Sequence, residues 1–207
     1  MEIVIMDYRE TNLNFLCDDL IREYGKEQGE LLYTLICEKY SNLCERETQS
    51  DNNEMNEHIF KRLLPTIGVY ITLIENGFTK EEALVIADKE IQRNAHYKAK
   101  ENARLAKIPF TYGIFKLFAK SHMKKKYPMN GFRVEWKRCD VKEIHFDIVR
   151  CIYKDMCEKY HCPELCVVFC QSDLTAFAGY EPKIKFERLG TIGKGANRCD
   201  FHFIHGN

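Results

Sequence analysis

The sequence predicts an α+β fold, with a helical N-terminal half followed by an antiparallel sheet of about four strands in the order β-β-α-α-β-β, covered by helices. Three observations predict it. Apolar residues recur at spacings of three and four through the first half; the apolar period switches to two at Gly131; and two more alternating segments follow residue 182, after a stretch long enough for two short helices.

From about Glu10 to Tyr40 the helical rhythm runs through Leu13, Leu16 and Leu20, then Leu31, Leu32, Leu35 and Ile36. The interruption "GKEQG" makes this a helical hairpin or one kinked helix. "SDNNE" reads as a loop with a helix start signal, and "PTIGVYITLIENG" as a helix stopped by Gly77. Thr79 and Glu82 form a capping box for a helix reaching about Lys100. "PFTYGIFKLFAKSHMKKKY" is bounded by Pro109 and Pro128, and its aromatics read as packing residues.

In the second half, "FRVEWKR" alternates Phe132, Val134 and Trp136 with charged residues, and "KEIHFDIV" alternates Ile144, Phe146 and Ile148 with polar ones; "CDV" between them suggests a hairpin. Later strands are expected over "KIKFERLGTI" and "CDFHFI", joined by the glycine-containing "GKGANR". Of the two intervening helices, the second should begin near Pro163. At 207 residues the whole chain is expected to be a single domain, 1–207, with a helical part at 1–128 and an α+β part at 129–207.

Composition excludes several function classes. With 31 basic and 31 acidic residues there is no overall field favouring nucleic acid or an anionic membrane, and the run "KSHMKKKYP" has no base-reading motif beside it. The opening "MEIVIMDYRETNLNF" lacks signal-peptide character, and no apolar run approaches the roughly 20 residues of a membrane span. Ten cysteines without an export signal point to reduced thiols and a cytoplasmic location. Seven of them fall between Cys139 and Cys199.

The stretch "HCPELCVVFCQSD" concentrates the chemistry. On a helix, Cys162, Cys166, Cys170, Asp173 and Phe177 share one stripe, flanked by Leu165 and Phe169. Such a cysteine stripe reads first as packing, because cysteine behaves as a small hydrophobe. Zinc fits poorly: cysteines four apart lack the second pair of ligands that structural sites use, and no metal or cofactor is expected. Asp173 needs a partner, since an unpaired buried carboxylate is costly. Period-two counting supplies Arg188, on the strand face of Ile184 and Phe186, while Glu187 points the other way. Cys199 shares a face with Phe201 and Phe203, opposite Asp200 and His202. Cys170, Asp173, Arg188 and Cys199 should therefore converge, either as a locking ion pair beside packed thiols or as a reactive site.

The segment "CPELCVVFCQSDLTAFAGYEPKIKFERLGTIGKGANRCDFHF", residues 162–203, resembles the C-terminal signature of the L-2-amino-thiazoline-4-carboxylic acid hydrolase family: a cysteine-bearing helix, an acid, Gly-Tyr-x-Pro, Phe-Glu-Arg, a glycine turn and a final Cys-Asp-Phe-x-Phe. The resemblance implies a hydrolase opening a small cyclic amidine-like thioether, 2-amino-thiazoline-4-carboxylate, to N-carbamoyl-cysteine. That chemistry needs a nucleophile or positioned water, a proton-transfer group and a cation for the substrate carboxylate. Cys199 or Cys170 can be cast as the thiol nucleophile, Asp173 or Glu187 as the proton handler, and Arg188 or Arg198 as the carboxylate clamp. Cys199 is preferred because a strand start beside "GKGANR" and Arg198 suggests exposure and thiolate character. The partner would be a small-molecule substrate, with no nucleic acid or membrane. The layout is also similar to vinyl-reductase-type sensor domains that enclose small hydrophobic ligands, and a cysteine-based metal or redox sensor is a third reading.

Overall fold

A computed structural model describes residues 7–206. The first six residues of the "MEIVIM" opening, and with them part of the signal-peptide reading, lie outside the described residues. Two compact units divide the chain, Met1–Ile91 and Gln92–Asn207, and the boundary falls inside one long helix.

In the first unit α1 (Leu16–Tyr24) and α2 (Lys26–Cys44) are separated at Gly25, whose φ of 81° is available to glycine at little cost. The pair is a hairpin, and it is tight: a Cβ on Gly29 would stand 2.6 Å from the Ile21 backbone. Leu16, Leu20, Leu32, Ile36 and Tyr40 fill the seam. Asn52 caps α3 (Asn53–His58) by accepting the Met55 N–H at 3.1 Å. A π turn over Ile59–Leu63 then leads into α4 (Leu64–Glu75).

Pro65 explains that turn. Its ring would clash with the Lys61 carbonyl in a regular helix, and it has no N–H to donate. The wider turn leaves backbone carbonyls to other donors: Lys61 O accepts the Asn12 N–H at 2.9 Å and Phe60 O accepts the Tyr40 hydroxyl at 2.9 Å. Gly77, at φ 91°, ends α4, and the Thr79–Glu82 capping box opens α5 (Lys80–Leu105), one turn longer than the sequence suggests.

The second unit holds the end of α5, then α6 (Thr111–Lys126), β1 (Phe132–Cys139), β2 (Glu143–Cys151), α7 (Ile152–Lys159), α8 (Cys166–Ala178), β3 (Ile184–Glu187) and β4 (Cys199–His205). The sheet is antiparallel, in the order β1-β2-β4-β3. Ile144 stands opposite Phe203, Phe146 opposite Phe201 and Ile148 opposite Cys199, so one face is apolar. Phe177 of α8 and Phe115 of α6 pack edge-on or tilted against Phe203, within 5.2 Å between ring centroids. The other face carries the opposed pairs His145–His202 and Asp147–Asp200. Among the described residues no helix is long and apolar enough to cross a membrane.

Three sequence expectations are corrected. Strict alternation in the first hairpin is broken by register shifts that leave Lys137 in β1 and Val149 in β2 as extra residues. α8 begins only at Cys166, after a 3-10 turn at Pro163–Leu165, so Cys162 precedes the helix rather than lying on it. β3 stops at Glu187 instead of running on through "RLGTI". The reason is competition for backbone donors: the Asp200 carboxylate takes the N–H groups of Leu189 and Gly190, which a ladder would otherwise use.

Candidate active site

Residues 188–198, between β3 and β4, fold back over the first turns of α8. Two anchors on β4 fix them. Asp200 accepts Leu189 N–H at 3.0 Å and Gly190 N–H at 2.8 Å, and Cys199 Sγ accepts Ile192 N–H at 3.2 Å. Burial works against the Asp200 charge, yet those backbone donors hold its carboxyl below the ordinary value. Thr191 starts a 3-10 turn, Ile192–Lys194, by accepting the Lys194 N–H on its side chain.

The turn brings Gly193 onto the cysteine stripe. A Cβ there would come within 3.0 Å of Cys170 Sγ and 3.1 Å of Cys166 Sγ. Only glycine allows so close an approach without a shift. Cys170 thereby acquires a collar of donors. Hydrogen bonds from the Cys166 and Cys199 thiols hold its own thiol well below the ordinary range; burial opposes this, and the Thr191 hydroxyl and the Arg188 charge add to it.

The neighbouring thiols shift the opposite way. Cys199 is pushed up, first by donating to Cys170 and then by burial. Cys166 receives a bond from Cys157 that lowers it, but donation to Cys170 and burial carry it upward. Burial pushes Cys151 up to about 12. Of these sulfurs only Cys170, which is half-buried, is shifted toward the anion.

Arg188 lies just past β3 with its side chain 4% exposed. Its guanidinium stands over the rings of Phe201 and Phe186, 5.5 and 5.8 Å from their centroids. Nη1 bonds Asp173 Oδ2 at 2.9 Å and Nη2 donates to the Cys170 carbonyl at 2.5 Å. The Asp173 side chain is 29% exposed, so this pair spans from the apolar layer to solvent.

The structure therefore brings Cys170, Asp173, Arg188 and Cys199 together. Glu187 and Arg198 stand elsewhere. Glu187 pairs with Lys185 at 2.6 Å, which lowers its carboxyl, and its register partner is His202 on the polar sheet face. Arg198 is half exposed and reaches Asp147 at 3.3 Å. The exposure expected for Cys199 is corrected: it is 5% exposed because the 188–198 segment covers the start of β4. Thr191, Gly193 and Asp200 complete the site and were not singled out from sequence. The crowding of glycines at 190, 193 and 195 was the one available signal of a close approach.

Among the described residues no group of three or more His, Cys, Asp or Glu side chains is placed to hold a metal ion. The thiols are arranged instead as a hydrogen-bonded chain, in which Cys157 contacts both Cys162 and Cys166.

A family model described as L-2-amino-thiazoline-4-carboxylic acid hydrolase matches residues 56–203. No curated protein and no solved structure matches the chain.

Proposed function

The chain belongs to the L-2-amino-thiazoline-4-carboxylic acid hydrolase family, and from that premise we propose that it opens a small cyclic amidine, 2-amino-thiazoline-4-carboxylate or a close analogue, with Cys170 as the attacking thiolate. The observation that carries this reading is the collar around Cys170: three side-chain donors and a nearby guanidinium favour the anion on a sulfur that is still partly open to solvent.

The steps follow from the chemistry of the amidine carbon, which is bonded to ring sulfur, ring nitrogen and the exocyclic nitrogen. Cys170 Sγ adds to that carbon, and the carbon–ring-sulfur bond breaks, releasing the ring sulfur as a thiolate that takes a proton. The product of this step is an isothiourea on Cys170. Water then adds to the same carbon, Cys170 leaves with its electron pair, and loss of the remaining proton gives the N-carbamoyl product. Asp173 is the group for the water's proton, because a carboxylate paired with arginine is an acceptor. Arg188 acts as a positioning residue: it fixes Asp173, and its charge supports the Cys170 thiolate in both the resting and leaving states. Cys199 and Thr191 donate to the departing sulfur, which lowers the barrier to its release.

The test is turnover of 2-amino-thiazoline-4-carboxylate, followed by chromatographic detection of N-carbamoyl-cysteine. Cys170→Ser should fall to background, and Asp173→Asn should lose about 10²–10⁴ in kcat, while intact-mass analysis of quenched wild type should reveal the Cys170 adduct. Wild-type turnover by Cys170→Ser would remove Cys170 from the mechanism.

A further inference from the structure

Away from the thiol cluster, the second unit has a cleft of about 880 Å³. It lies near the C-terminal end of α8, where Gly179 contributes to its wall. Nine residues of helix separate Gly179 from Cys170, on the order of 14 Å at 1.5 Å per residue. The cleft is a distinct place in the fold.

One wall is apolar and exposed. Ile108, Phe110 and Val141 line it while remaining 45%, 88% and 68% exposed. Phe110 sits at φ 60°, in the left-handed region that bulky residues rarely occupy, so the chain carries an aromatic ring at the rim in a strained conformation. Behind the rim the Thr111 hydroxyl ties the turn by donating to the Ile108 carbonyl at 2.5 Å. A stacked pair also lines the cleft, Tyr112 on His205 with centroids 4.2 Å apart. Both rings are fixed: the Tyr112 hydroxyl donates to Asp140 O, and His205 Nδ1 bonds Val141 O.

The charge around this apolar surface has one dominant sign. Lys107, Lys116 and Lys183 line the cleft, against the single carboxylate of Glu181. None of the three lysines has an ion-pair partner among the described residues, so their charge is not neutralised by a neighbouring carboxylate. The start of α6 also opens into the cleft, and it has no side-chain cap, so its positive end adds to the field. A volume of this size accommodates a drug-sized molecule. An apolar body would cover Ile108, Phe110 and Val141, and an anionic head would find three unneutralised ammonium groups.

We propose that this cleft binds an amphipathic organic carboxylate, with its head at Lys107, Lys116 and Lys183 and its apolar body on the Phe110 wall. The hydrolase substrate assigned above is small and polar and has no such body, so this site is additional to the thiolate centre.

The experiment uses the full chain and the fluorescent apolar anion 8-anilinonaphthalene-1-sulfonate as reporter. Dodecanoate should displace the reporter, and neutral 1-dodecanol should do so about tenfold less well. Lys116→Glu and Lys183→Glu should each weaken dodecanoate about tenfold, one charge contact's worth, and Phe110→Asp should abolish binding. These side chains are exposed or half-buried, and circular dichroism will show that the variants remain folded. Cys170→Ser should bind dodecanoate like wild type, so failure of the hydrolase reading and failure of this one are read separately. Equal displacement by dodecanoate and dodecanol, or indifference to the lysine variants, would overturn the anion site. Displacement by 2-amino-thiazoline-4-carboxylate at concentrations that support turnover would make the cleft the hydrolase's own and would also overturn it.

Discussion

Removing the Thr191 hydroxyl tests the Cys170 collar at its simplest point. Thr191→Val keeps the shape of the side chain and deletes one of three donors to the sulfur, together with the cap on the Lys194 N–H; Thr191→Ser, the control, retains both. A hydrogen bond to a charged group contributes about 1.5–3 kcal/mol net, and one pKa unit corresponds to about 1.4 kcal/mol. The Cys170 titration should therefore rise by about one unit, at the low end of that range because the Cys166 and Cys199 donors remain. Cys199→Ala should raise it at least as far, since the Cys199 bond ranks above that of Thr191, and Cys199→Ser should move it less by keeping a donor. The assay is the rate of iodoacetamide alkylation at Cys170 against pH, localised by fragmentation mass spectrometry. In wild type the lowered thiol should keep the rate flat through neutrality and let it fall only in acid. The variants other than the Thr191→Ser control should move the falling limb upward in pH. A wild-type inflection near the ordinary thiol value of about 8.5, or one profile shared by all variants, would refute the account of the collar.

Other consequences follow from the same geometry. Asp173→Ala leaves the Arg188 guanidinium buried without its carboxylate, still bonded to the Cys170 carbonyl, and should cost about 3 kcal/mol in urea unfolding; Asp173→Asn, which keeps an acceptor, should cost less. Gly193→Ala places a methyl group 3.0 Å from Cys170 Sγ and should destabilise by about 1–3 kcal/mol while reducing turnover. At Gly195, where an added Cβ meets nothing within 4 Å, alanine should cost only the strain of φ 88°, about 1–2 kcal/mol, and spare more of the activity. Asp200→Asn should weaken the fold in a pH-dependent way. The folded Asp200 carboxyl lies below its ordinary value of 3.8, so its stabilisation is complete above that value and disappears as pH falls through the lowered one. The wild-type advantage over Asp200→Asn, measured by thermal melting, should therefore be constant from neutral pH down to about pH 5 and close in stronger acid.

Much of the architecture was written in periodicity. The Gly25 break, the Gly77 stop, the Thr79–Glu82 box and the switch to period two at Gly131 are local signals, and each corresponds to an observed boundary. The approach of Arg188 to Asp173 was also legible, for a less local reason. Helix spacing set the face of Asp173, strand parity set that of Arg188, and the cost of burying either charge alone demanded that they meet. Parity also separates Glu187 from that face, whereas nothing in the spacing signals that Arg198 turns to Asp147.

What periodicity does not encode is a side chain that competes with the ladder for backbone donors. Asp200 does so, ending β3 at Glu187 and folding "RLGTIGKGANR" back over α8. This single substitution of partners decides the chemistry. If the strand had continued along β4, the following residues would not fold back over α8, and Cys199 would lack the loop and its Ile192 donor. Because it does not continue, Cys199 is covered and becomes a donor, and Gly193 and Thr191 close on Cys170. The sulfur whose thiol is lowered lies on the helix, and the one on the strand is raised. Asp200 therefore acts on the proposed nucleophile without touching it, through the loop it holds, and a variant at Asp200 should shift the Cys170 alkylation profile even where the fold survives. A purely structural Asp200 would lower stability and leave that profile where it was.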